Sequence, residues 1–196
     1  MKVYFIRHGE SEYNLTQRHS GWSQVELTEK GKAQAESIRE YLARIPFDKF
    51  YVSDLRRAIQ TSQIAIPGSD CERTSLLREY SSGILTGMPH TQCLELYGEK
   101  YLQALATLDY TPFEGENPDM VRKRAQDFLD TVSTFDYQIV AAFSHAGFLR
   151  AVLDCALGAR LNPKRIHVPN CMVCIVEYTD GQWNFDSWIN PAELTR

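Results

Sequence analysis

Residues 139–147, Ile-Val-Ala-Ala-Phe-Ser-His-Ala-Gly, join an uninterrupted apolar run to polar and small residues. The run has the length of a buried strand, and Gly147 to Leu157 continue with the apolar spacing of a helix that Gly158 closes. A strand that leads directly into a helix is the repeating unit of a parallel sheet covered by helices. This stretch therefore predicts an α/β fold and places His145 where a strand ends.

The same alternation extends along the chain in both directions. The further predicted strands are Val3 to Arg7, Phe50 to Val52, about Thr74 to Leu77, Cys171 to Tyr178 and Trp183 to Ile189. The further predicted helices begin at Thr28, about Asp54 and Asn117. Because Asp180-Gly181 is a hairpin turn, the last two strands are expected to pair antiparallel. We expect a three-layer α/β/α sandwich with a mostly parallel sheet and an antiparallel edge strand.

Residues 80–115 interrupt this alternation. They contain loop and one or two modest helices around Thr91 to Leu108, and we expect a helical insertion over one end of the sheet, covering the active site. No linker or internal repeat is visible, so a single domain over residues 1–196 is predicted.

Composition excludes several function classes. The 196 residues contain 21 Lys and Arg against 25 Asp and Glu, a net charge of -4, which argues against nucleic-acid and anionic-membrane partners. The apolar run at the start is shorter than a secretory signal, and no run is long enough to span a bilayer. Five unevenly spaced cysteines favour free thiols in a reducing compartment, so we expect a cytoplasmic protein.

Cys171 and Cys174 have the spacing of a metal or redox motif. They lie in a β-branched run, where residues three apart point to opposite faces of a sheet. The strand geometry therefore argues against a shared metal or a disulfide exchange between these two thiols.

Chemistry-bearing residues collect after four predicted strands. Arg7 and His8 follow the first strand, Arg57 follows the second, Glu79 the third and His145 the central one. In open α/β sheets, ligands bind outside the carboxyl ends of the strands. Two histidines buried beside two arginines require an anion, and a phosphate fits because guanidinium forks match its oxygens.

A divalent metal held by His8, Glu79 and His145 is the competing interpretation. The arginines expected in the same pocket would repel a cation, and the chain has no His-x-x-x-His pair. We therefore expect neither a metal nor another cofactor.

Five short motifs stand in a fixed order from one end of the chain to the other. They are Arg7-His8-Gly9-Glu10-Ser11 with Asn14, Ser53-Asp54-Leu55-Arg56-Arg57-Ala58 with Gln60-Thr61, Leu77-Arg78-Glu79 with Gly83 and Gly87, Gly115-Glu116, and Ser144-His145-Ala146-Gly147 with Arg150.

This series resembles the histidine phosphatase superfamily, the phosphoglycerate mutase-like group, over essentially the whole chain. The resemblance implies that His8 is the nucleophile that becomes phosphohistidine and that Glu79 is the general acid and base. It also implies that the phosphoryl group is held by Arg7, Arg57 and His145, with Asn14 and the helix-entry residue Ala146 as further phosphate contacts.

Two positions depart from the family pattern. Gln24 and Glu26 stand where the family often has Asp and Pro, which puts the local loop conformation and contacts to the leaving group in question.

The resulting functional prediction is a metal-independent phosphomonoester hydrolase with a small phosphorylated substrate, such as a sugar phosphate or an α-ribazole-phosphate-like compound. A mutase-type phosphotransferase and a non-catalytic phosphate-binding or phosphoprotein-binding module remain the alternatives. Since the insertion has one lysine against four acids, a formal charge of -3, a weakly charged or aromatic substrate remainder is expected. Sequence does not determine the physiological substrate or the oligomeric state.

Overall fold

A six-stranded sheet forms the centre of the computed structural model, which describes residues 1–162 and 165–194. Its strands are β1 (Lys2–Arg7), β2 (Lys49–Ser53), β3 (Cys71–Thr74), β4 (Ile139–Ser144), β5 (Val173–Thr179) and β6 (Gln182–Ile189). Their spatial order is β3-β2-β4-β1-β5-β6. The first four are parallel neighbours, β5 pairs antiparallel with β1, and β6 pairs antiparallel with β5, which confirms the predicted mixed sheet.

Helices cover both faces of the sheet. They are α1 (Glu12–Leu15), α2 (Glu29–Ser37), α3 (Arg39–Ala43), α4 (Arg56–Ala65), α5 (His90–Thr107), α6 (Pro118–Ser133), α7 (Ala146–Ala156) and α8 (Pro191–Leu194). α6 and α7 pack in the core on one face with strand residues such as Phe5 and Val140. α2, α3 and α4 pack on the other face with Ile6 and Phe143, so consecutive strand residues alternate between two cores.

Side-chain caps determine where several helices begin. Asn117 Oδ1 accepts a hydrogen bond from Met120 N at 3.0 Å, and Pro118 occupies the first helical position of α6, as predicted. Thr28 Oγ1 accepts from Gly31 N at 3.0 Å and starts α2. The predicted helix from Thr28 to Pro46 is divided at Ile38 into α2 and α3.

The third strand lies earlier in the chain than the predicted range of about Thr74 to Leu77. The strand spans Cys71–Thr74, and Ser75–Leu77 form a 3₁₀ turn instead of a strand. Thr74 Oγ1 accepts a hydrogen bond from Leu76 N at 3.2 Å, which favours the turn over continued sheet pairing. The apolar pattern reflected the burial of Leu77, which is complete, rather than a strand.

The insertion over the sheet, residues 80–115, has its own small core and contains α5, bent at Gly98 (φ 48°, ψ −127°). Its buried members are Leu85, Cys93, Tyr101, Ala104, Tyr110 and Phe113. We call this segment the cap.

Cys171 and Cys174 belong to the cores on opposite faces of the sheet, which confirms the prediction from their spacing. None of the helices within residues 1–162 and 165–194 is long and apolar enough to cross a membrane. The single-domain organisation over residues 1–196 stays a prediction.

Candidate active site

The two histidines predicted at strand ends lie side by side because β1 and β4 are parallel neighbours. Arg7, the last residue of β1, pairs with Ser144, the last residue of β4. His8 N donates to Ser144 O at 3.0 Å, and the His8 and His145 rings are 5.1 Å apart. Both side chains are almost completely buried, with 3% and 0% exposure.

The hydrogen bonds of His8 define its tautomer. His8 Nδ1 lies 2.6 Å from the carbonyl oxygen of Gly9, which can only accept, so Nδ1 carries the proton. Arg57 Nε donates to His8 Nε2 at 3.3 Å, so Nε2 presents a lone pair. Burial, and then Arg57 and Arg7, hold the His8 pKa well below its usual range. His8 is therefore a neutral imidazole with an unprotonated Nε2, the form that can act as a nucleophile.

Arg57 is fully buried at the start of α4 and joins this histidine to a neighbouring loop. Its Nη2 donates to Gly21 O at 2.9 Å and its Nη1 donates to Ser23 O at 3.0 Å. Burial lowers the Arg57 pKa to about 10, which leaves the guanidinium charged at neutral pH.

Two buried polar atoms at this site have no partner. His145 Nε2 lies 2.8 Å from Ser53 Oγ, while His145 Nδ1 is buried without a hydrogen bond. Arg7 Nη1 donates to Val168 O, while Arg7 Nε is unpaired. In the described parts of the chain, the only other such atom is Trp183 Nε1. Since buried polar groups are normally satisfied, the arrangement suits an anion between Arg7 and His145.

The pKa values of these two residues are also lowered. Burial, and then Arg57 and His8, hold the His145 pKa well below its usual range. Burial lowers the Arg7 pKa to about 10, with the charge of Arg150 acting in the same direction. The site thus combines cationic guanidiniums with neutral imidazoles.

Glu79 is the carboxylate of the site. Its Oε1 accepts from Tyr80 N at 3.0 Å and its Oε2 accepts from Gly147 N at 3.1 Å, at the beginning of α7. A Cβ at position 147 would clash with Oε1, so the close approach requires glycine there. The carboxylate is held beside the strand end that carries His145.

A pocket of about 210 Å³ opens beside Glu79 and Gly147. Its other walls come from the segment around Arg18, from the cap, which contributes His90 and Tyr110, and from α7, which contributes Arg150. Glu95, Glu99, Asp109 and Glu114 do not line it. None of the four cap acids is a wall residue of this pocket, and Asp109 stands between the wall residues Leu108 and Tyr110.

The cap aromatics divide between two surroundings. Tyr101 and Phe113 belong to the cap core, whereas Tyr80 and Tyr110 also line the pocket. Burial raises the Tyr110 pKa to about 12, so its hydroxyl is protonated at neutral pH.

The remaining predicted residues have local contacts of their own. Asn14 forms a capping box with Ser11, whose N donates to Asn14 Oδ1 at 3.1 Å. Ala146 is the first residue of α7, directly after His145. Gln24 and Glu26, the departures from the family pattern, both contact Arg56, through Arg56 N at 2.9 Å and Nη1 at 2.8 Å. The loop is thus attached to the first turn of α4.

Several supporting residues had no predicted role. Ser53 contacts His145, Thr61 Oγ1 accepts from Gly9 N at 3.0 Å, and Asn170 Nδ2 donates to His8 O at 3.0 Å. Ser53 and Thr61 already stood in the quoted motifs, but polar residues inside a helix or strand carry no signal of what they contact.

The loop around Gly9 lies against α2. A Cβ at Gly9 would clash with the carbonyl oxygen of Gly31, and one at Gly31 would clash with that of Glu10. The loop that carries His8 and the helix thus meet backbone to backbone.

A second pair of histidines lies in and beside the cap. His19 Nε2 is 2.8 Å from the Tyr101 hydroxyl, which also contacts His90 Nδ1, and the two imidazole rings are 4.3 Å apart. Burial lowers the His19 pKa to about 4, and His90 adds to this effect. One hydroxyl thus serves both rings.

Fold and site together define an α/β protein with a cluster of two histidines, two arginines and a glutamate at the carboxyl end of its sheet. Residues 3–191 match the family model of the histidine phosphatase superfamily (branch 1). The chain belongs to this superfamily, which confirms the resemblance noted in the motifs.

Among solved structures, the chain resembles the α-ribazole phosphatase from Shigella flexneri, with a TM-score of 0.89 and 21% identity over 97% of each chain. It also resembles a mycobacterial glucosyl-3-phosphoglycerate phosphatase, with a TM-score of 0.85 and 23% identity over 95% of this chain and 98% of the other. These likenesses confirm the fold.

A curated relative is the 2,3-bisphosphoglycerate-dependent phosphoglycerate mutase of Streptococcus thermophilus, 39% identical over 107 residues. The match covers 51% of this chain and 46% of the mutase, so the chain spans about half the length of the curated relatives that it matches.

Proposed function

We propose that this protein is a metal-independent phosphomonoester hydrolase that forms a phosphohistidine on His8. The observation that carries the proposal is the neutral His8 imidazole, whose Nε2 has no proton and lies beside the charged Arg57 guanidinium. A neutral nitrogen nucleophile beside a fixed cation suits attack on phosphorus, because the cation stabilises the charge on the phosphoryl oxygens.

The proposed reaction has two transfers. His8 Nε2 forms a bond to phosphorus as the ester oxygen leaves, and Glu79 gives that oxygen a proton. Water then attacks the phosphohistidine, Glu79 takes a proton from the water, and the bond to His8 breaks to release phosphate. Arg7, Arg57 and His145 hold the phosphoryl oxygens, and Asn14 and the Ala146 amide add hydrogen bonds.

The pocket supports a small phosphorylated substrate, and a sugar phosphate or an α-ribazole-phosphate-like compound remains the proposal. Of the charged residues that line it, Arg18 and Arg150 are positive and Glu79 is negative, which gives a formal charge of +1. A screen of phosphorylated metabolites that compares kcat/KM would identify the remainder that the pocket accepts.

The proposal is tested with p-nitrophenyl phosphate in the presence of a chelator. We expect turnover, and an acid-labile, base-stable phosphoenzyme in a rapid-quench experiment with labelled substrate. His8→Ala should reduce turnover by about 10⁴-fold or more and abolish the labelled intermediate. His167→Ala, at an exposed histidine, is the matched control and should change neither.

Two results would contradict the proposal. Label on a residue other than His8 would overturn the assignment of the nucleophile. The absence of turnover from pH 5 to 8, with phosphate binding retained, would favour the binding module.

Phosphotransfer between phosphoglycerates is the second candidate, and the identity to the bacterial mutase favours it. Mutase and hydrolase share the phosphohistidine and differ in whether a substrate hydroxyl or water accepts the phosphoryl group. We expect negligible interconversion of 2- and 3-phosphoglycerate after priming with 2,3-bisphosphoglycerate. Interconversion faster than phosphate release in a coupled assay would establish the mutase instead.

A further inference from the structure

Trp22 lies between two carbonyl groups that Arg57 holds. Arg57 donates to Gly21 O and to Ser23 O, the residues directly before and after Trp22. The same guanidinium contacts His8 through Nε. The backbone on both sides of Trp22 is therefore attached to the group that stands beside the nucleophile.

The indole of Trp22 reaches the other half of the site. Its Nε1 donates to the backbone oxygen of Glu79 at 2.8 Å, and Arg124 Nη2 approaches the same oxygen at 3.3 Å. Arg124 also donates to Leu76 O at 2.8 Å and to Arg78 O at 3.0 Å, so the segment before Glu79 is held at several carbonyls. Of these hydrogen bonds to the Glu79 segment, the one from Trp22 comes from the loop that Arg57 holds.

A cation–π contact on the face of the indole ring helps to fix its orientation. The Arg78 guanidinium lies 4.7 Å from the ring and forms a fork with Asp54, at 2.7 and 2.5 Å. The ring is 40% exposed, so Trp22 is not a core residue. Its fixed position on the surface is accounted for by the stacking and by the hydrogen bond rather than by burial.

We propose that Trp22 is a positioning residue, which fixes the distance of the Glu79 carboxyl from the phosphoryl group that His8 and Arg57 receive. The proposal rests on the role of Glu79 as general acid in the proposed function. Because proton transfer requires hydrogen-bond distance, a small displacement of the Glu79 backbone lowers the rate of acid-dependent steps.

Trp22→Phe tests the proposal, since phenylalanine keeps an aromatic ring for Arg78 and removes the N–H donor together with the rest of the five-membered ring. The experiment compares kcat/KM for glycerol 2-phosphate, whose alkoxide must be protonated, with that for p-nitrophenyl phosphate, whose phenolate leaves without help. Loss of one hydrogen bond should reduce the first about threefold to tenfold and leave the second unchanged.

Two further variants isolate the effect. Trp183→Phe removes an indole N–H that donates to nothing and should change neither substrate. In a Glu79→Gln background, which itself should slow glycerol 2-phosphate far more than p-nitrophenyl phosphate, Trp22→Phe should have no additional effect on either.

The outcomes separate the two levels of inference. Equal losses on both substrates, or an undiminished effect in the Glu79→Gln background, would overturn the role of Trp22 and leave the phosphatase proposal standing. Glu79→Gln without leaving-group selectivity would overturn the acid role and the Trp22 proposal with it. Unfolding midpoints of the single variants would show whether a loss of folded protein contributes.

Discussion

The molecule contains two pairs of neighbouring histidines, the buried His8 and His145 at the sheet and the buried His19 with the half-buried His90 beside the cap. In both pairs burial lowers the pKa, so the four imidazoles are neutral at pH 7. The pairs differ in what surrounds them. Guanidiniums stand beside the first, whereas the second shares the hydroxyl of Tyr101.

The difference lies in which hydrogen bonds are left open. His145 Nδ1 and Arg7 Nε have no partner, while the contacting nitrogens of His19 and His90 both find the tyrosine oxygen. A pair that shares the hydroxyl of a cap-core tyrosine is suited to holding the cap in place. A pair with open donors and nearby cations is suited to binding an anion, so burial and lowered pKa alone do not mark the reactive site.

The largest expected effect separates the pairs by turnover. His145→Ala should lower kcat about 10²- to 10³-fold, because it removes a donor to the developing charge. His90→Ala should lower kcat by less than about tenfold, since that imidazole does not contact the reacting atoms. Steady-state kinetics with p-nitrophenyl phosphate measures both, and comparable losses would remove the distinction between the pairs.

The next effect concerns stability and pH. The His19 pKa is about 4 in the folded protein and near 6.5 when unfolded, so the unfolded chain binds more protons between these values. The stabilisation is complete above pH 6.5 and is lost as the pH falls toward 4.

His19→Phe should therefore reduce the difference in unfolding free energy between pH 7.5 and pH 4.5 by about 2 to 3 kcal/mol. Chemical denaturation at the two pH values measures it. Tyr41→Phe, which leaves all histidines in place, is a control for the loss of a polar group. An unchanged pH dependence in His19→Phe would show that the lowered pKa of His19 does not cause the loss of unfolding free energy at low pH.

The smallest effect tests the open donors directly. Inorganic phosphate at about ten times its Kd should stabilise the protein by about 1.4 kcal/mol, a rise in Tm of about 3 to 6 °C. Arg7→Met should lose this rise, while Arg44→Met, at an exposed arginine, should keep it. An equal rise in Arg7→Met would place the anion elsewhere.

Much of this arrangement could be predicted from the sequence because strand ends carry their residues to a common edge. His8 and His145 directly follow β1 and β4, Arg57 lies in the first turn of the helix after β2, and the parallel pairing of these three strands brings the residues to one edge. Glu79 comes after the 3₁₀ turn at Ser75–Leu77 and accepts a hydrogen bond from Gly147 N at that edge. Apolar spacing was enough to predict the layers and the placement of Cys171 and Cys174 on opposite faces of the sheet. Their roles in catalysis stay predictions.

The rest depended on contacts that spacing does not encode. The third strand was misplaced because burial of Leu77 is compatible with a turn as well as a strand. The net charge of the cap does not say which of its side chains line the pocket, so the weakly charged substrate stays a prediction. Arg124 and Trp22 donate to backbone carbonyl groups. Every residue has such a group, so the sequence does not show which carbonyl a side chain will contact.

The contact between Gly9 and Gly31 has a consequence for how this sequence can vary. α2 is rich in charged residues and has the pattern of an ordinary surface helix, in which alanine is normally favoured over glycine by about 1 kcal/mol. At position 31 the added methyl would meet the carbonyl oxygen of Glu10, two residues after His8. A substitution that improves the helix would thus displace the loop that carries His8. Among variants selected for activity, Gly31 should therefore tolerate substitution as poorly as His8, although it takes no part in the reaction itself.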